Sequence, residues 1–324
     1  MKRIIIRIAA GYFLLGIIGC DATEPVNDSE FAIYFLADEH IIVSEALEQG
    51  IDSVVLEREP RLSAPDLEFY DFSSHCIYMK QGKNEIFHYI DAERSQLFYI
   101  SMPFVVVAGN TRCYIGTFYV NASSSAPIGP YMDELDWWQY PEDVLHLSPA
   151  LGAEEDVRGI DPIRENLAEL DLFHSGLKIR LDSASVIGDS SIGTVQYTFT
   201  MTNNDADDLL VLDPDLMGSA QFHYFTNGVT FNYAAGHYWA ENKELITPEP
   251  FDSWEPEWFI RIEAGESIQR TVQLAGYSVI PAGTYDCTLK FSNPRKIALA
   301  DRKLDGARYW LGEITADDIV VVVD

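Results

Sequence analysis

The sequence predicts a mainly β protein with an α+β part, in which an N-terminal α+β domain is followed by an antiparallel β-sandwich. Beyond residue 174, short runs rich in Val, Ile, Thr, Tyr and Phe follow one another, each bounded by Gly, Pro, Asn or Asp, as the strands of a sandwich do. Ahead of residue 146, strand-like runs alternate with helix-like ones. Between the two lies "LSPALGAEEDVRGIDPIRENLAELDLFHSG", small and acidic first and periodic at helical spacing second. An apolar content of 47% with 12% aromatics supplies core for order on both sides of that break.

The chain opens with "MKRIIIRIAAGYFLLGIIG". Lys2, Arg3 and Arg7 precede an uncharged run from Ile8 to Gly19, which is too short to cross a bilayer as a helix of about 20 residues. Residues 1–19 therefore read as a secretory signal peptide. Ile17-Ile18-Gly19-Cys20 is similar to the lipobox of bacterial lipoproteins. That resemblance implies an acylated Cys20 as first mature residue, on a lipoprotein of the bacterial cell envelope held to a membrane outside the cytoplasm. Residues 20–30 are then the acylated cysteine and a polar tether, since "DATEPVNDSE" offers almost nothing to a core.

Charge narrows the partners. The net charge is −29, and losing residues 1–19 removes only cations, leaving about −32. Such a chain repels nucleic acid and anionic lipid, so membrane attachment has to come from acyl chains.

Residues 31–146 form the α+β domain. "FAIYFLA" and "HCIYMKQG" read as strands and "SEALEQG" as a helical turn. Gly109-Asn110 suits a two-residue hairpin turn and pairs Phe104–Ala108 with Thr111–Val120. "LSAPDLEFYDFSSHCIYMK" followed by "PFVVVAGNTRCYIGTFY" and "SSSAPIGP" resembles a segment of bacterial envelope proteins. It is also similar, at the level of fold only, to the periplasmic head of a protein-translocase subunit. Residues 147–173 read as a linker and short helix, with Asp161 as cap, Pro162 at the first helical position, and Ile163, Leu167 and Leu170 on one face.

Residues 174–324 form the sandwich, with Asn227-Gly228 as its most strongly indicated hairpin turn. The "TNND" turn, "AGESIQRTVQL", "GTYDCTLKF" and "YWLGEITADDIVVVV" make this part similar to an immunoglobulin-like domain. The resemblance implies a tyrosine corner, with the Tyr285 hydroxyl bonded to nearby backbone two residues before Cys287. The second strand offers no cysteine, so the intersheet disulfide of antibody domains is absent.

Residues with chemistry are few. "GDSSIG" joins two strands and lacks the nucleophile-elbow pattern, so Ser190 and Ser191 read as turn residues. Asp71, His75 and Cys76 stand close enough for a nucleophile and base, but alternation sends His75 and Cys76 to opposite faces, which favours a buried thiol and a structural imidazole. Asn203, Asp205 and Asp207 cluster oxygen ligands that would suit calcium weakly, without the glycine and glutamate of an EF-hand. His spacing suits no zinc site, and no cofactor motif occurs. Cys76, Cys113 and Cys287 are odd in number; Cys76 and Cys113 are the one pair a shared domain allows, and both read as reduced thiols inside strands.

Aromatic clusters are the remaining candidates. "DELDWWQYPED" sets Trp137, Trp138 and Tyr140 among acids, and Trp239 and Trp254 stand in "GHYWAEN" and "DSWEPEWF". Exposed, such rings stack on sugars or anchor a protein partner; buried, they are core. The sequence thus reads as a non-enzymatic, lipid-anchored binding or assembly module with an envelope protein or glycan as partner. The alternative is an envelope hydrolase with its site between the domains, near His75 or the Trp loops.

Overall fold

The computed structural model describes residues 30–87, 102–119, 126–151, 155–187, 193–217, 228–234, 236–238, 256–293, 302–316 and 319–323. Over these residues the chain is mainly β, with several sheets and short helices.

Phe31–Phe35 is apolar at every position because both of its faces are covered. Phe31, Ile33 and Phe35 pack with Phe104, Val106 and Phe118, whereas Ala32 and Tyr34 pack with Val105 and Val107. This strand sits inside a five-stranded sheet ordered Leu62–Ser63, Phe31–Phe35, Pro103–Ala108, Thr111–Tyr119, Tyr131–Asp133. Pro103–Ala108 and Thr111–Tyr119 form the antiparallel hairpin expected at Gly109-Asn110, with Gly109 at a φ of 55°. Helix Val43–Gln49 covers one face with Val43 and Ala46, and helix Asp161–Glu169 presents Ile163 and Leu167 to the other. The cap of that second helix is Ile160, one residue earlier than expected, and Asp161 is its first helical residue.

A four-stranded sheet, ordered Val144–His146, Cys76–Met79, Leu67–Asp71, Phe173–His174, forms the next layer. Tyr70, Ile77, Met79 and Leu145 face the first sheet, while Phe69, Cys76, Tyr78 and Val144 join the core built by the C-terminal strands. Leu67 and Tyr70 share a face despite being three residues apart, because the pairing shifts between Leu67 and Phe69. This sheet is therefore a common wall between two cores.

Beyond it, Leu177–Ile187, Gly193–Asn203 and Ser267–Tyr277 make a three-stranded antiparallel sheet whose middle strand alternates between buried and half-buried side chains along its whole length. A bulge at Asp182 turns its carboxylate to accept from Thr200 Oγ1 at 2.6 Å and Gln269 at 3.1 Å. Across the core lie Gly236–Tyr238, Val229–Tyr233, Gly283–Ser292 and Glu313–Thr315, with Ile319–Val323 also paired to Gly283–Ser292. Leu209–Leu212 pairs antiparallel with Phe259–Ile262 and parallel with Ala307–Tyr309. Tyr285 donates its hydroxyl to the Pro281 carbonyl at 2.8 Å. Asn227 of the expected hairpin lies outside the described residues. Among the described residues, no helix is long and apolar enough to cross a membrane.

Candidate functional site

Helix Glu134–Gln139 carries the aromatic pair. Successive helical residues point about 100° apart, so adjacent tryptophans cannot share an environment. Trp137 turns inward: its ring meets Phe87 edge-on at 5.6 Å and Phe118 at 6.3 Å, and its indole N–H donates to Asn84 Oδ1 at 3.2 Å. Trp138 turns outward and is 67% exposed. Tyr140 is buried and stacks on the His146 ring at 5.0 Å. Of these three rings, Trp138 is the one presented to solvent. Trp239 and Trp254 lie outside the described residues, as do Ser190, Ser191 and Cys20.

Beneath this helix the fold assembles a constellation absent from the sequence reading. His146 Nδ1 lies 2.6 Å from Asp136 Oδ2, and Ser148 Oγ lies 3.3 Å from the same carboxylate oxygen and 3.4 Å from the same ring nitrogen. A serine, a histidine and an aspartate thus meet, all buried. A catalytic relay needs the carboxylate on one ring nitrogen and the hydroxyl on the other. Here both crowd Nδ1, so the arrangement ties helix Glu134–Gln139 to strand Val144–His146 without activating Ser148. No spacing signal finds it, because the residues meet through the fold of one helix onto one strand.

In the His75 region the Cys76 thiol and the imidazole are both buried, the form that the alternation argument favours. Asp71 and His75 do not bond each other. Asp71 Oδ1 accepts from Ser73 Oγ at 2.6 Å and its Oδ2 from Arg308 at 2.7 Å, whereas His75 Nδ1 lies 3.0 Å from the Tyr70 hydroxyl. His75 ends the four-residue turn before Cys76–Met79 at a φ of 52°, a left-handed conformation that histidine tolerates better than most residues. Burial, reinforced by the Arg158 cation, pushes the imidazole well below its ordinary value, so it is neutral. Burial also pushes the Cys76 thiol up to about 12, and Cys76 packs in the C-terminal core. A thiol in that setting is no nucleophile at neutral pH. Cys76, Cys113 and Cys287 are all free thiols.

Two of the three oxygen ligands that would suit calcium, Asn203 and Asp205, are engaged within the fold. The Asn203 side chain donates to the Asp207 and Ile262 carbonyls and accepts from the Asp205 amide. Asp205 accepts from the Arg308 guanidinium, sits 2.8 Å from His174 Nδ1 and caps the amide of Ala206. Burial alone would raise the Asp205 carboxyl, but the His174 bond and the Arg308 charge outweigh it and hold the group well below its usual range. Arg308 is itself buried between Asp71 and Asp205, with its guanidinium over the rings of Phe69 at 5.2 Å and Tyr78 at 5.9 Å. Gly176 packs so closely here that a Cβ would stand 2.2 Å from Ser73 Oγ. The cluster joins the four-stranded wall to the C-terminal strands. Among the described residues no group of His, Cys, Asp and Glu is arranged to hold a metal ion.

No protein-family model matches the chain, and no curated protein matches it.

Proposed function

We propose that this is a lipid-anchored, exported protein of the bacterial cell envelope, acylated at Cys20 and tethered through residues 21–30. Its body, with an immunoglobulin-like sandwich from residue 174 to 324, presents Trp138 to an envelope glycan or protein. The exposure of Trp138 is the observation that carries the reading. An indole left in water on a helix otherwise fastened to the core supplies a large flat apolar face, the kind of surface that stacks on sugars or anchors a partner. The Tyr285 bond to Pro281 supports the tyrosine corner that the immunoglobulin-like resemblance implies. Binding accounts for this surface better than catalysis does, because the titratable groups beneath it are engaged with one another.

Two experiments test the proposal. Purified sacculi should co-sediment the wild-type protein and release it on Trp138→Ala; equal sedimentation of both would end the glycan arm, and a crosslinking screen from residue 138 in cells would then decide the protein arm. Cells fed a clickable fatty acid should label the wild type and not Cys20→Ser, and an unlabelled wild type would overturn the anchor.

A further inference from the structure

Lys83 is a single cation in the polar stretch "QGKNEIF". The fold buries it to 1% exposure. Its Nζ donates to the carbonyls of Tyr140 at 3.0 Å, Pro141 at 2.8 Å and Val144 at 3.2 Å. An ammonium has three N–H groups, and all three are spent on the turn that follows helix Glu134–Gln139. Nζ also lies 5.7 Å from the centre of the Trp137 ring, whose N–H is taken by the next residue, Asn84. The backbone repeats the contact: Lys83 N–H donates to the Glu142 carbonyl at 2.7 Å, and Asn84 N–H to Glu142 Oε1 at 3.0 Å. Desolvating an ammonium is costly unless every donor is used, so a lysine here does something that an apolar filler would not. Apolar packing of Trp137 against Phe87 and Phe118 is non-directional and lets a short helix slide or roll. Directed bonds do not.

We propose that Lys83, with Asn84, is a positioning pair that fixes the roll of helix Glu134–Gln139 and thereby holds Trp138 in the orientation its ligand meets; this rests on Trp138 being the contact residue. Trp137 is the pivot and Trp138 the presented face. The clamp lowers the ordering cost of binding, because an indole already oriented loses less freedom when it is covered. Burial lowers the Lys83 amine to about 8, against Glu142, Asp136 and Cys76, which raise it. Above that pH a neutral amine brings two N–H groups to three carbonyls.

The test labels the full-length protein in detergent with 5-fluorotryptophan and assigns Trp137, Trp138 and Trp310 by replacing each in turn with Phe. In Lys83→Met the Trp137 resonance should shift and the Trp138 resonance should take on the narrow shape of a freely rotating ring. Trp310, fully buried in the other core, should stay where it is. Sacculus binding should weaken tenfold or more. Asn84→Ala removes one bond from an exposed residue and should produce the same changes at smaller size, which keeps the test available if Lys83→Met fails to fold. In the wild type the Trp137 resonance should titrate with a midpoint of about 8. Unchanged Trp137 and Trp138 resonances in the variants overturn the clamp, as does wild-type binding by a variant whose Trp138 ring has become mobile. The fluorine readout needs no ligand. If Trp138→Ala binds sacculi like the wild type, the glycan arm of the binding reading falls and the resonances alone decide the clamp.

Discussion

His75 and Arg308 show how single residues set the conditions under which this fold survives. His75 is neutral in the fold because burial and Arg158 depress its affinity for a proton. The unfolded chain takes up that proton below about pH 6.5 and the folded one does not, so stability should fall as the pH drops through that value. Asparagine tolerates a φ of 52° and does not titrate. The melting temperature of His75→Asn should therefore decline less than that of the wild type between pH 7 and 5, and parallel declines would place the acid sensitivity elsewhere. Arg308 offsets two buried carboxylates at once. Arg308→Met should cost about 3–5 kcal/mol in urea unfolding, the range for breaking a buried ion pair; a loss under about 1 kcal/mol would mean that Asp71 and Asp205 find water or protons instead. Neither role could be read from the sequence. "DGARYW" and "NNDADD" are ordinary polar turns until the chain brings them together, and the charge cluster that suggested calcium is satisfied by a guanidinium more than a hundred residues away.

At the scale of elements, legibility followed exposure. Leu177–Ile187, Gly193–Asn203 and Ser267–Tyr277 were plain because one face is wet, and a period of two survives only where one face is wet. The wall strand Cys76–Met79 reads as a strand from its apolar run, but a run buried on both sides carries no sign of which neighbour takes which side, and its partner Leu67–Asp71, interrupted by Glu68, is given no element by the sequence. The parallel partner of Leu67–Asp71, Phe173–His174, falls across the expected boundary between linker and sandwich at 173/174, because two residues are too few for any pattern. Helix Glu134–Gln139 is too short for a periodic signal in the sequence, and it divides its two tryptophans: Trp137→Ala should cost up to about 3 kcal/mol, and Trp138→Ala should stay within about 0.5 kcal/mol. Thermal melts of the two variants check this, and similar losses for both would mean that Trp138 is packed in solution.

For the whole molecule, the four-stranded wall is the decisive feature. The sequence reading separates 31–146 from 174–324, yet Phe69, Cys76, Tyr78 and Val144 lie in the core of the C-terminal strands. Urea unfolding followed by tryptophan fluorescence and by far-UV circular dichroism should give coincident single transitions. A fragment ending at residue 175 should not reach the native state, since it would expose one face of the wall and leave Asp71 without its cation; a cooperative melt of that fragment would show that the first core suffices alone. The same wall dictates a timetable. Asp71 and Arg308 are 237 residues apart in the chain, so at ordinary rates of synthesis the carboxylate emerges roughly 10–50 s before its counter-ion exists. Through that interval the N-terminal sheets lack the group that lets them close. If the fragment ending at residue 175 stays open, the chain should stay loose while it is made, and a polypeptide kept loose until its last strands arrive is one that can still be threaded through a narrow pore.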